Sequence, residues 1–545
     1  MRGRLAVLAS VFRNHALRRV AGAFLAFSIG EWATWVAVIV YAYGRGGAPE
    51  AGLVAFIQLV PSVFMAPAAG TLGDRFSRKR VLLVAYVLQT LAMAAAAIAL
   101  AIGLPAPIVY ALATVTATAI TMTRPVQSAL LPDVAASPDQ LTAANVASGT
   151  IEGAGTLLGP ALAGVLTAVG GPALVFAVSS VGLFLATLAV LPLARRDIRG
   201  AHEEGHAAGE PLGRMLSRGF TEIAGDARLR GIVAVFAAAS LLTGALDIFY
   251  AVLALDVFGL GDGGVGFVGS ATGLGLLIGG TLAVSLVGRA RLGVPILAAA
   301  TVFGGVVALV GVSPQLGLAL VLLGIAGIGW QFVYIGIQTM TQRIVADEAM
   351  SRVFGVYEAL MQGATAVGAL TVPVLIIVLG TTGAFLAAGL FVVVVALLAG
   401  PSLLRADRTA VFRLEELRLL RWNPMFAPLS APVLESLTHA MRPESFEPGE
   451  VIIRQGDPGD RYFLIARGAV RVEIDGRLVQ TQGPGDGFGE IALMRNVPRT
   501  ASVIAIDNVE VFSIAREQFL AALTGVPASR AAAEAVVRER LAAGS

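Results

Sequence analysis

Two carboxylates stand near the middle of long apolar stretches. Glu31 lies within GEWATW and Asp247 within ALDIFY, so each has aromatic neighbours. An ionisable side chain at membrane depth is energetically costly and therefore indicates a functional site. A carboxylate in such a place can take up and release a proton, which is what proton-driven transport or cation binding requires. Glu31 and Asp247 are accordingly the first candidates for proton coupling.

A second pair of carboxylates, Glu152 and Glu358, lies in other apolar stretches but nearer to their ends. We predict a role in proton coupling for these residues too. The structural alternative is that each carboxylate is neutralised by a neighbouring cation, and Arg124 is the obvious partner for Glu152.

The segment GFGEIALMRNVPRTASV, from Gly487 to Val503, has residues suited to binding a phosphate. A short helix that opens at Phe488 and Gly489 points backbone N–H groups at an anion. Arg499, nine residues after Glu490, can add a bidentate contact to the same phosphate. Because a carboxylate repels an anion, Glu490 fits beside it only if it accepts a hydrogen bond from a hydroxyl group.

Metal chemistry is not expected. The chain has no cysteine, and none of its four histidines falls within a long apolar stretch. HEEGH, from His202 to His206, matches a zinc-binding pattern, but that pattern requires both histidines on one face of a stable helix. The surrounding segment is rich in glycine and has no apolar periodicity. We therefore predict neither a metal ion nor a cofactor.

The four carboxylates lie within a set of twelve apolar segments. Each segment is about as long as the 20 residues needed to cross a bilayer. The segments form two groups of six, at 20–43, 51–70, 81–103, 106–130, 143–170 and 172–193, and at 230–258, 264–287, 293–312, 316–341, 353–379 and 382–404. Glu31 and Asp247 stand in the first segment of each group, and Glu152 and Glu358 in the fifth. The pattern predicts an all-α membrane domain of twelve transmembrane helices in two six-helix halves.

Basic residues alternate between the connections of these segments. The odd-numbered connections hold only Arg45. The even-numbered ones hold, with Arg124 counted at a helix end, Arg75, Arg78, Lys79, Arg80, Arg124, Arg195, Arg196, Arg199, Arg214, Arg218, Arg228, Arg230, Arg289, Arg291, Arg343 and Arg352. Since basic loops stay on the cytosolic side, both termini are predicted to be cytosolic. That side includes the basic N-terminal segment 1–19 and the loop 194–229, and the location predicted is the cytoplasmic membrane.

The composition supports a membrane protein. Of the 545 residues 56% are hydrophobic and 14% are charged, and the mean hydropathy is +0.80. Soluble globular proteins carry about 25% charged residues, so an ordinary soluble enzyme and a disordered chain are excluded. The net charge of +3 is too small to indicate a nucleic-acid partner.

The amino-acid composition changes after about residue 405. Residues 421–545 contain 15 acidic and 13 basic residues, a density typical of a soluble domain. Short β-rich runs separated by glycine turns predict a mainly-β domain at 431–545. Between the two domains, 405–430 forms a predicted amphipathic connector. It either lies on the membrane or on the membrane domain, or is a plain linker helix.

The membrane segments resemble a known superfamily at three places. GTLGDRFSRKR, from Gly70 to Arg80, resembles the loop signature of the major facilitator superfamily. GAGTLLGPALAG, from Gly153 to Gly164, is similar to the glycine-proline motif of its antiporters, and the stretch from Arg124 through LLPD to Asn145 resembles its bacterial drug and metabolite efflux branch. The resemblance implies a cytosolic gate formed by Gly70, Asp74, Arg75 and Arg124. For Arg75 the alternative is a role in topology alone.

The segment from Gly487 to Val503 resembles the phosphate-binding cassette of cyclic-nucleotide-binding domains, which implies a β-roll with flanking helices. By this resemblance Glu490 holds the ribose 2′-hydroxyl and Arg499 the cyclic phosphate. Contacts are also implied for Phe488, Gly489, Ile491, Ala492 and Thr500. The Thr500 hydroxyl can also favour guanine, so cGMP stays open beside cAMP. The alternative is a degenerate domain kept as a structural β-roll.

Together these patterns predict a proton-coupled exporter of an organic solute that is regulated by cyclic nucleotide, preferably cAMP, and is not an enzyme. Its partners would be the lipid bilayer, protons, the solute and the nucleotide. One alternative is a membrane-tethered sensor that does not transport. In another, the cargo is the cyclic nucleotide itself or a lysophospholipid. A predicted helix at 528–541 would close over the bound base, with Arg530, Arg538 or Arg540 as contacts.

Overall fold

The chain folds into two compact units, and the main boundary between them along the sequence falls between Ala410 and Val411. The computed structural model describes residues 14–75, 78–134, 138–195, 212–286, 291–313, 315–345, 347–409, 414–429, 431–524 and 527–543. The HEEGH segment at 202–206 and most of the predicted N-terminal segment 1–19 lie outside these residues.

Helices are the regular secondary structure of the first unit in its described residues. Its helices are α1 His15–Arg75, α2 Arg78–Ala101, α3 Ala106–Val134, α4 Pro138–Arg195, α5 Leu212–Gly225, α6 Ala227–Ala251, α7 Asp262–Ala283, α8 Gly293–Val310, α9 Leu316–Ile344 and α10 Asp347–Thr409. A π-helical turn, Val252–Val257, extends α6, and a 3₁₀ turn, Val284–Leu286, follows α7. Nine of the described helices are long and apolar enough to cross a membrane.

Three of these helices are too long to be single spans. A straight helix of 61 residues, the length of α1, would extend about 90 Å, three times the thickness of a bilayer core. The helical geometry is broken at Gly46 and Gly47 in α1, at Gly170 and Gly171 in α4, and at Gly380 in α10. Each break leaves a segment of spanning length on either side. The all-helical membrane architecture is confirmed, while the count of twelve spans stays a prediction.

Small residues set the close packing of α4 against α7. A Cβ atom added at Gly164 of α4 would lie 2.6 Å from the carbonyl oxygen of Gly263, and one added at Gly266 would overlap the Pro160 carbonyl oxygen. Lipid provides no hydrophobic drive between helices, so backbones must approach closely for dispersion contacts to hold them together. The Gly153–Gly164 motif therefore lies where α4 packs closely against α7.

The second unit combines a β-roll with flanking helices, as predicted. Its elements are α11 Leu414–Trp422, α12 Ala431–Ala440, β1 Arg442–Phe446, β2 Val451–Ile453, β3 Arg461–Arg467, β4 Val470–Ile474, β5 Arg477–Gln482, β6 Gly487–Phe488, α13 Glu490–Arg495, β7 Ser502–Ala505, β8 Val509–Ala515, α14 Arg516–Thr524 and α15 Pro527–Ala543. One antiparallel sheet has the order β1-β8-β3-β6 and the other β2-β7-β4-β5.

Two apolar cores hold this unit together. One lies within the β-roll and includes Phe463, Phe488 and Val511. The other lies among the helices and includes Leu420 of α11, Phe426 and Phe519. Three leucines of α11, Leu417, Leu419 and Leu420, are buried in this second core. The apolar face of the predicted connector is therefore occupied by the second unit itself.

Candidate nucleotide site and membrane charge cluster

The predicted phosphate-binding segment, from Gly487 to Val503, begins with β6. Phe488 is buried against Phe463 of β3, with ring centroids 5.3 Å apart. Gly489 follows with a φ of +95°, a left-handed conformation that glycine adopts without strain. A Cβ atom at Gly489 would lie 2.5 Å from the Arg499 Nη1. The turn therefore requires glycine, and it starts α13 directly beside the arginine.

Arg499 is held in place by backbone carbonyl groups. Its Nη1 donates to the Gly489 oxygen at 3.1 Å and its Nη2 to the Arg461 oxygen at 2.8 Å. Asp460 Oδ1 lies 3.4 Å from Nη2. The residue is only 5% exposed, and burial lowers the pKa of its guanidinium from the ordinary value. A buried guanidinium fixed in orientation is preorganised for a phosphate group.

Glu490 opens α13 and is 1% exposed. Its Oε2 lies 2.9 Å from Nη1 of Arg540, which comes from α15 at the end of the chain. The same Nη1 donates to the Gly487 carbonyl oxygen at 2.7 Å. Of the three arginines proposed from sequence, Arg540 is the one that reaches this site, and its contact is with the carboxylate.

Tyr462 connects the site to the helical core. Its hydroxyl adjoins Gly487 closely enough that a Cβ atom there would overlap it, and it accepts a hydrogen bond of 3.1 Å from Asn423 Nδ2. Burial and the nearby Glu490 charge raise the pKa of Tyr462 well above its ordinary value, so the phenol stays protonated. Its ring stacks on Phe519 at 4.7 Å. Asn423 directly follows α11.

The remaining predicted contacts cluster around the same turn. Ile491 and Ala492 occupy the first turn of α13, where Ala492 is buried and Ile491 half-buried. Thr500 directly follows Arg499 and is half-buried. Sequence reasoning missed Asp460 and the Arg461 carbonyl, since no local pattern indicates which distant loop holds Arg499.

Arg124 is the centre of a charge cluster in the first unit. Its Nη2 donates to Glu31 Oε2 at 2.7 Å, and its Nη1 forms an ion pair with Glu152. Glu358 and the Tyr334 hydroxyl lie within its electrostatic reach. The structure thus brings three of the four candidate acids to one arginine. The sequence predicts a gate role for this arginine and pairs it with Glu152 alone.

Asp247 contacts α1 on the helix face that also carries Glu31. The indole of Trp35, one turn after Glu31, donates a hydrogen bond to the Asp247 carboxylate of α6. The two acids predicted as a pair are therefore joined through neighbouring turns of α1.

Three further residues of the predicted gate lie at the end of α1. Gly70, Asp74 and Arg75 belong to α1, but their side chains lie outside the described part of the structure. Their gate role stays a prediction.

Two tyrosine–carboxylate contacts near the α1 break were not predicted. Tyr43 donates to Asp256 in the π-helical turn after α6, and Tyr110 donates to Glu50. Arg45 Nε lies 3.8 Å from Glu50 Oε1. The first contact joins α1 to the π-helical turn after α6. The sequence offers only the polar residues at the segment ends as a signal for it.

Two family models match this chain. Residues 20–369 match the model of the Major Facilitator Superfamily, which is more than half of the sequence. The chain therefore belongs to the Major Facilitator Superfamily. Residues 443–525 match the model of the cyclic nucleotide-binding domain, so the second unit carries such a domain.

The second unit is also similar to individual proteins. A cAMP-dependent protein kinase regulatory subunit of Yarrowia lipolytica is 38% identical over 97 residues, which is 18% of this chain and 26% of the relative. That of Dictyostelium discoideum is 40% identical over 92 residues, or 15% and 28%. The regulatory domain of Toxoplasma gondii PKA, crystallised with cAMP, is 32% identical over 20% of this chain and 44% of that chain, with a TM-score of 0.20. The chain spans about a quarter of the length of these curated relatives.

Proposed function

We propose that this protein is a proton-coupled exporter of an organic solute and that intracellular cAMP bound to its second unit regulates transport. The observation that carries the regulatory part is the buried pair of Arg499 and Glu490 beside the Gly489 turn. A guanidinium and a carboxylate in one phosphate loop match a ligand that carries both an anion and a hydroxyl group. We prefer cAMP to cGMP because the similar curated relatives are cAMP-dependent regulatory subunits.

The proposed export mechanism rests on the acids around Arg124. A carboxylate that alternates between an arginine partner and a proton is stable in two arrangements of the halves, which alternating access requires. Glu31 sits beside Arg124, and Asp247 is held by Trp35 across the two halves. Protonation of either acid would weaken its contact and favour reorientation.

Nucleotide binding would be transmitted to the membrane helices through contacts in the core of the second unit. The ribose 2′-hydroxyl needs Glu490, which Arg540 of α15 approaches in the structure. Tyr462 adjoins that site and hydrogen-bonds to Asn423 at the end of α11, and α11 follows the last membrane helix by four residues. A ligand shifts the transporter only if its affinity differs between two conformations, and about 1.4 kcal/mol of difference changes their ratio tenfold.

The proposed location is the cytoplasmic membrane, with both termini and the nucleotide-binding unit in the cytosol. The alternation of basic connections supports this orientation. With this orientation the nucleotide site would face the cytosol.

Regulation is tested on the full chain in lipid nanodiscs by amide hydrogen exchange with and without cAMP. We expect cAMP to change exchange at 40–50 and 250–262, around the Tyr43–Asp256 contact, in the wild type but not in Arg499→Ala. Binding of cAMP without any change in the first unit would contradict the regulatory role.

Proton coupling is tested in proteoliposomes with an imposed pH gradient and a panel of organic solutes. Solute-dependent proton flux that is lost in Glu31→Gln and Asp247→Asn is the expected result. Flux that persists in both variants would contradict the assignment of these acids. Export of cAMP by a chain lacking 405–545 would instead favour the nucleotide as cargo.

A further inference from the structure

Trp422 is the last residue of α11, and it is 75% exposed. The other aromatic rings described in the second unit are buried or half-buried, namely Phe426, Phe446, Tyr462, Phe463, Phe488, Phe512 and Phe519. An indole combines a large apolar ring with one polar N–H group, and such side chains are enriched where one end is apolar and the other is wet. Trp422 therefore indicates an interaction surface at the end of α11.

The exposure of Trp422 is determined by the packing of its neighbours. Leu420 is fully buried in the helical core, and the buried Asn423 donates from Nδ2 to the Tyr462 hydroxyl at 3.1 Å. Asn423 Oδ1 also accepts a hydrogen bond from the Met425 N–H at 3.1 Å. Because the chain is fixed on both sides of Trp422, the fold of the second unit itself presents the indole outward.

Two basic side chains share this face of α11. Arg418 lies three residues before Arg421 and four before Trp422, and these spacings put the three side chains on one side of a helix. All three are exposed, and neither arginine forms an ion pair within the described residues. Glu416 is half-buried and lies on the opposite side, two residues before Arg418. The three exposed side chains, which we call the outer face of α11, therefore form a basic and aromatic surface.

A short segment connects the outer face to the bilayer. α10 contains an apolar stretch of spanning length that ends at Asp407. Four residues separate the end of α10 at Thr409 from the start of α11 at Leu414. Since an extended chain covers at most about 3.6 Å per residue, α11 starts no more than about 18 Å from the end of α10. α11 therefore begins within reach of the lipid headgroups of the leaflet at which α10 ends.

We propose that the outer face of α11 binds anionic phospholipid, with the Trp422 indole among the headgroups and the two guanidinium groups on lipid phosphates. Indoles favour the membrane–water interface, and basic side chains next to a membrane span are attracted to anionic lipid. Guanidinium groups bind phosphate through paired hydrogen bonds. An amphipathic helix ordinarily binds a membrane by its apolar side, but the leucines of α11 are buried in the second unit. The contact therefore uses the opposite, basic side.

The test uses Trp422 as its own reporter in the full chain in nanodiscs. The chain has four tryptophans, so subtracting the emission of Trp422→Phe from that of the wild type leaves the emission of Trp422. Lipids with bromine on the upper part of their acyl chains quench an indole that lies at the interface. We expect brominated phosphatidylglycerol, which is anionic, to reduce Trp422 emission at least about twofold. Brominated phosphatidylcholine, which is neutral, should quench less, and Arg418→Gln combined with Arg421→Gln should remove this difference.

The matched control is Leu478→Trp made in the Trp422→Phe chain, because Leu478 is 63% exposed in β5. The sheet that contains β5 contributes no described residue to the helical core around α11, so an indole there should not be quenched. An unchanged Tm shows that each variant is folded. Trp422 emission that neither lipid quenches would overturn the proposal, whether its wavelength indicates water or burial against protein. Equal quenching by the two lipids in the wild type would overturn the preference for anionic lipid and the role of the two arginines.

Discussion

The proposed contact between Glu490 and a ribose hydroxyl can be tested by removing either partner. The perturbations are Glu490→Gln in the protein and 2′-deoxy-cAMP in the ligand. Because Glu490 is 1% exposed, a hydrogen bond to it would be shielded from water. A hydrogen bond to a charged group contributes about 1.5–3 kcal/mol, so the deoxy ligand should bind the wild type roughly 10- to 100-fold more weakly than cAMP.

The same ligand pair should be distinguished far less by Glu490→Gln, because a neutral amide forms the weaker bond of about 0.5–1.5 kcal/mol, or roughly 2- to 10-fold. Isothermal titration calorimetry on the full chain in nanodiscs measures all four affinities. The control is Glu517→Gln, which removes an exposed carboxylate of α14. An equal cAMP-to-deoxy ratio in the wild type and in Glu490→Gln would refute the assignment of the ribose contact.

Three further predictions concern other contacts. Arg499→Lys should weaken cAMP binding by at least tenfold in calorimetry, because one ammonium group cannot reproduce the guanidinium fork; undiminished affinity would contradict its role. Gly244→Ala should lower the free energy of unfolding by about 1–3 kcal/mol, since its Cβ would overlap the Thr365 carbonyl oxygen, whereas Gly363→Ala meets open space and should leave Tm unchanged. Thr500→Val should reduce cGMP affinity and spare that for cAMP; an equal loss for both nucleotides would exclude a guanine contact.

Much of the architecture follows from near-neighbour properties of the sequence. Hydropathy over about 20 residues determines which segments partition into lipid, and this located the apolar helices without knowledge of their packing. The turn at Gly489 is also predictable from the sequence, because a glycine before a short helix is a local signal for a turn. The order of strands within the two sheets of the β-roll was not predicted, since pairing of β1 with β8 joins residues about 70 positions apart.

Ion pairing was only partly predictable. Pairing of Arg124 with Glu152 was predicted, whereas the bond from Arg124 to Glu31 required knowledge of how α1 packs beside α3.

The packing of the connector was also not predictable from the sequence. Its alternating apolar and charged residues predict an amphipathic helix, but amphipathicity does not identify what covers the apolar face. In the structure Leu417, Leu419 and Leu420 lie in the helical core of the second unit.

The sequence by itself determined the chemical inventory: acids within apolar helices, an arginine and a carboxylate in one phosphate loop, and a polar domain after a hydrophobic one. Those properties reside in residue types and short spacings. Only the tertiary structure decided which groups meet, such as Arg540 with Glu490, Trp35 with Asp247, and Arg124 with Glu31. The physical reason is that a charge or ring acts over a few ångströms, and helix packing determines which distant residues come that close.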